Sequence, residues 1–124
     1  MALRGIIDNM IQVQRALGDA ALEARRDPAR RAAVIELRRR FADAVLDVST
    51  AAERDLQLQA DPALAAEFRR RFSEARSRIA VFQAKWPAVL LDSADSDSDF
   101  DRTARELRAA NRCFLDWAQA TLPR

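Results

Sequence analysis

Apolar residues recur at spacings of three and four along most of this chain, the period of an amphipathic helix. Leu3, Ile6, Ile7, Met10, Val13, Leu17, Ala20, Ala21 and Ala24 form a stripe that predicts a helix over about 2–25. Val34, Leu37, Phe41, Val45, Val48 and Ala52 predict a second over about 28–59. Thr50 and Glu53 have the spacing of a capping box, but no Gly or Pro supports a break there. One long helix, or one bent near Ser49, is the expectation. The cleanest stripe is Leu64, Phe68, Phe72, Ala75, Ile79, Phe82 and Trp86, which predicts a helix over about 62–86. Phe100, Ala104, Leu107, Asn111, Phe114 and Ala118 predict a last helix over about 99–121, with Trp117 at the edge of its face. Asn111 is the one polar residue in that stripe and must find hydrogen-bond partners if buried.

The connections carry their own signals. Asp27-Pro28 and Asp61-Pro62 each close one helix and open the next. Proline disfavours helical geometry in the residue before it and is well placed at a first helical position, while aspartate is a strong N-cap. Pro87 ends the third helix, and Ala88–Leu91 reads as an apolar tail over one end of the core. Residues 92–101, rich in Ser and Asp, form the one stretch that reads as a loop. Four amphipathic helices with short connections predict an all-α, single-domain protein over 1–124, arranged as an antiparallel four-helix bundle. The likeness of 36–44 to 67–75 has an offset of about 31 residues and the two Asp-Pro-Ala triplets one of 34. The offsets disagree, and the Trp, Leu-Gly and Tyr positions of a tetratricopeptide repeat are missing, so no solenoid is expected.

Composition narrows the chemistry. Of 124 residues, 49% are apolar and 32% charged, enough to build a core without staples. There is no His, which removes an imidazole base and His-ligated metals. Two glycines are too few for a phosphate loop or dinucleotide fingerprint. One cysteine, Cys113, excludes an internal disulfide or a CxxC pair. Its helical position, with no base to activate it, reads as inert. Twenty-one basic and 19 acidic residues leave a net charge of only +2. Lys85 is the only lysine; so strong a preference for Arg and Ala suggests a GC-rich, bacterial coding sequence. No apolar run reaches the length of a membrane span, and polar residues interrupt the first 18 positions too often for a signal peptide. A cytoplasmic protein with no membrane partner is expected. The stripes are lined by Leu, Ile, Val, Phe, Met and Ala rather than by the inward carboxylates of a di-metal bundle. No enzyme activity, catalytic residue, cofactor or metal is therefore expected.

Asp95, Asp97, Asp99, Asp101, Thr103 and Glu106 place oxygen ligands at positions 1, 3, 5, 7, 9 and 12 of a segment that resembles an EF-hand calcium loop. Phe100 stands where that loop needs Gly, and Arg102 where it usually has an apolar residue. An acidic linker running into a helix N-terminus is the preferred reading, with Ser98 as cap and Asp99 and Asp101 at the positive end of the dipole. The arginine clusters, Arg25–Arg26 with Arg30–Arg31, Arg38–Arg40 and Arg69–Arg71, fan around their helices. Glu36, Glu67 and Glu74 lie four residues before Arg40, Arg71 and Arg78, so ion-paired faces are expected and nucleic-acid binding is disfavoured.

Some apolar residues fall off the stripes. Ile35, Ala42 and Leu46 form a second stripe about 120° from the main one on the second helix, by the 100° rule. Val81 sits away from the core face of the third, and Ile11 flanks the first. Either these residues face a second neighbour, or they form a partner surface with Ile35, Leu46 and Val81 as anchors. The leading expectation is a non-enzymatic protein–protein interaction module, such as a small bacterial regulator, chaperone or neutralising partner, docking through a helical face. Self-association through the same surface is the nearest variant. Calcium or apolar-ligand binding by the bundle is the alternative, with nucleic-acid binding a further one.

Overall fold

The computed structural model describes residues 2–86 and 98–123, all in helices, a short 3-10 turn or the junctions between them. Helix α1 spans Leu3–Arg26 and is followed by the 3-10 turn Pro28–Arg30. Then come α2 (Arg31–Arg54), α3 (Leu56–Ala60), α4 (Pro62–Lys85) and α5 (Ser98–Thr121). The apolar tail 88–91, most of the acidic loop, and Asp95 and Asp97 with it, lie outside the described residues. No strand occurs among the described residues, and the chain is an all-α single domain.

Aspartates open the helices. The Asp27 carboxylate accepts from the Ala29 N–H at 3.0 Å and starts the 3-10 turn, so α2 begins three residues later than expected. The Asp61 carboxylate accepts from the Leu64 N–H at 3.1 Å, with Pro62 at the first helical position. The long second helix does not form. It stops at Arg54, where Asp55 turns to extended geometry and accepts from the Leu58 N–H at 2.9 Å. The break falls at Asp55 rather than near Ser49, and its reason is geometric. In a continuous helix Leu58 would point about 80° away from Val48. The turn at Asp55 swings it inward, where it is buried beside the core.

The stripes read from the sequence form one core, including Ile7, Met10, Phe41, Val48, Phe68, Phe72, Ile79, Phe114 and Ala118. Leu115 and Leu122, outside the expected stripe, join it. Pairings across the seams are antiparallel. Arg4 of α1 donates to the Leu122 carbonyl at 3.1 Å, while Gly18 faces Arg108. Phe68 meets Phe114 and Trp117 near one end of α4 and α5, and Phe82 meets Phe100 near the other. Arg38 of α2 reaches the Trp86 carbonyl just after α4.

Candidate functional site

The expected partner residues are exposed, though not gathered. Ile35, Leu46 and Val81 are 46%, 61% and 69% exposed, so the second stripe of α2 meets solvent and not a second neighbour. Ile35 and Leu46 are eleven residues apart, which puts them within about 20° on one side of α2 but about 16 Å apart along its axis. Val81 belongs to α4, and no described contact joins it to them. Leu46 instead shares an open depression with Leu56, Leu3 and Ile6 at the end of the molecule where α1 begins and α5 ends.

The expected ion-paired faces form. Glu36 binds Arg39 and Arg40, Glu74 binds Arg78, and Glu67 holds Arg70 and Arg71 at 2.7 and 2.6 Å. Hydrogen bonds from Arg70, then Arg71, hold the Glu67 carboxyl down at about 2. The acidic segment ends in a regular helix: Asp99, Asp101, Thr103 and Glu106 all lie in α5. Thr103 donates its hydroxyl to the Asp99 carbonyl, and the Asp99 carboxylate is bound by Lys85 and Arg102. Those two cations hold its pKa below the usual carboxylate value. The described half of the calcium-loop pattern thus runs straight where a calcium loop must wrap around its ion. No group of three or more acidic or Cys residues among the described residues could hold a metal.

Two features were not legible as sites in the sequence. The first is a groove between α1 and α5. Arg105, Arg108 and Arg112 recur at spacings of three and four, and so line one side of α5. Arg15 of α1 faces them across a floor that includes Ile11, Gly18 and the exposed Leu22. Asp19 and Asp116 interrupt the rim. Arg15, Arg105 and Arg112 form no ion pair among the described residues, in contrast to the arginines that Glu36, Glu67 and Glu74 bind. Gly18 leaves room here: a Cβ would meet only the Arg108 Cδ, at 3.8 Å. Single arginines scattered along α5 do not look like a cluster until α1 is laid beside them.

The second feature is a half-open cavity of about 100 Å³ between the four long helices. Its walls are mostly apolar, with Leu17, Phe41, Phe82 and Leu107 among them. Gln14, Arg38 and Asn111 also line it. Asn111 is 3% exposed, and its Oδ1 has no hydrogen-bond partner; nor have the buried Gln14 Oε1 and Arg38 Nη1. The Arg38 guanidinium is fixed by Nη2 donating to the Trp86 carbonyl at 3.0 Å and by the Phe82 ring 6.0 Å away. Burial lowers its pKa.

Comparison of the chain with protein-family models, with curated proteins and with solved structures found no match. No helix among the described residues is long and apolar enough to cross a membrane.

Proposed function

We propose that this chain is a non-enzymatic docking module of the bacterial cytoplasm that takes an acidic amphipathic helix of another protein in its α1–α5 groove. The observation that carries the reading is the combination in one groove of an apolar floor with Arg15, Arg105, Arg108 and Arg112. An amphipathic helix lays its apolar face on such a floor, and its flanking carboxylates meet the arginines. Asp19 and Asp116 favour a protein over a nucleic acid, since a continuous phosphate backbone would be repelled at both. Ile35, Leu46 and Val81, the first candidates for anchors, are exposed as a partner surface requires, but Ile35 and Leu46 lie about 16 Å apart along α2 and Val81 is on α4, which is why the groove is preferred.

The test compares affinity capture on the tagged wild type and on the double variant Arg105→Glu, Arg112→Glu. Both substitutions are at exposed positions. One stoichiometric protein should be retained by the wild type, lost from the variant with an affinity drop of at least about tenfold, and released by salt. Equal retention by both would remove the groove from consideration. Nucleic acid in place of protein in the wild-type eluate would replace this reading with the third expectation, and a second copy of the chain would turn it into self-association.

A further inference from the structure

We infer that the cavity between the four long helices is a binding site for a small carboxylic acid carrying its own hydroxyl donor, a short-chain 2-hydroxy acid. The inference does not depend on the docking reading, although Gln14 and Arg108 line both cavity and groove, and it rests on the three polar atoms that the cavity leaves without partners.

Each atom specifies part of the ligand. Arg38 Nη1 is a buried, charged donor, and Arg38 forms no ion pair among the described residues. The carboxylate of a ligand is its complement, with a charge-assisted hydrogen bond. Its other contacts, to the Trp86 carbonyl and the Phe82 ring, hold the guanidinium in place without neutralising it. Gln14 Oε1 and Asn111 Oδ1 are acceptors and call for a donor, which a simple fatty acid lacks and a hydroxyl supplies. Asn111 is the stronger of the two observations, because it is almost wholly buried. A buried polar group without a partner is rare in folded proteins and costly to maintain. Leu17, Phe41, Phe82 and Leu107 provide a surface for a short alkyl tail.

Size sets the limit. An apolar cavity of about 150 Å³ accommodates a six-carbon ring. At about 100 Å³, this one holds about four non-hydrogen atoms by the same measure, so lactate, with about six, fills it and reaches beyond it. A wider cleft of about 380 Å³ adjoins it, sharing Ala21, Val34, Phe100, Ala104 and Arg108 as walls. It offers a way in, and space for a tail one or two carbons longer.

The experiment is thermal denaturation and titration calorimetry of the full chain with lactate, 2-hydroxybutyrate, butyrate and 1,2-butanediol. The expected result is saturable binding of the hydroxy acids. Tm should rise by roughly 5–10 °C at about 100 times Kd. Butyrate, lacking the donor, and the diol, lacking the charge, should bind about 10- to 100-fold more weakly. Arg38→Gln should weaken the hydroxy acid by a similar factor and level its preference over the diol. Asn111→Leu is the second variant, in case Arg38→Gln fails to fold. It should abolish binding and raise the Tm of the unliganded protein, because it removes an orphaned acceptor. No stabilisation by any probe at tens of millimolar would mean that only water satisfies these groups, and would overturn the inference. So would undiminished binding to either variant, or a lower Tm for unliganded Asn111→Leu.

Discussion

The carboxylates of Asp27, Asp55 and Asp61 each accept a backbone N–H at a helix start, at 3.0, 2.9 and 3.1 Å. Each satisfies a donor that the first turn would otherwise leave open, and each places negative charge at the positive end of the helix dipole. Asp61 opens the long helix α4, whose buried face carries Phe68, Phe72, Ala75 and Ile79. Asp61→Ala should therefore cost about 1 kcal/mol in urea denaturation, and Asp61→Asn much less, since Asn caps nearly as well. Equal losses for the two would show that charge rather than the hydrogen bond is what matters there. Asp27 and Asp61 were legible because Pro28 and Pro62 follow them. Asp55 has no such marker, and its role emerges only once the burial of Leu58 is known. Asn111 was legible as an anomaly, a polar residue in an apolar stripe. Nothing in the spacing, however, could place Gln14 and Arg38 around the same cavity, because that depends on how α1, α2 and α5 meet.

At the scale of the element, the same periodic reading succeeds on α1, α4 and α5 and falters on α2. The first three each have one well-marked apolar face that is buried much as expected. Helix α2 offers two, and a sequence alone cannot tell a second contact face from a solvent-facing one. The fold resolves it: Phe41, Ala44 and Val48 are buried, while Ile35, Ala42 and Leu46 face outward. The two faces should respond oppositely to substitution. The double variant Ile35→Asp, Leu46→Asp should remain folded, with each change within about 0.5 kcal/mol of wild type. Phe41→Ala should cost about 3–5 kcal/mol, from lost burial and the space left behind. Circular-dichroism melts of the two proteins decide the matter. Unfolding of the double variant would mean that the outer face of α2 is covered by a second copy of the chain.

At the scale of the whole molecule, an ion pair does more than decorate the surface at the seam between α4 and α5. Glu67 of α4 holds the Arg71 guanidinium, whose Cζ lies 4.7 Å over the Trp117 ring of α5. Trp117 in turn packs on Phe68 and Phe114 in the core. Protonating Glu67 frees Arg71 from its anchor and weakens a contact that joins the two helices. The carboxyl sits at about 2 in the folded chain, below its ordinary value of 4.5, because Arg70 and Arg71 favour its charged form. A carboxyl depressed on folding stabilises the fold above its unfolded pKa and loses that contribution as pH falls through the folded value. The window is therefore roughly pH 4.5 down to 2, with no effect near neutrality. Melting temperature measured across that window should fall more steeply in the wild type than in Glu67→Gln, which cannot titrate there. The gap should be small, because the pair is exposed, and should narrow in 1 M NaCl, where the screening length shrinks to about 3 Å. Superimposable acid limbs for the two proteins would mean that Arg71 stays on Trp117 without Glu67, and that ring stacking alone secures the seam.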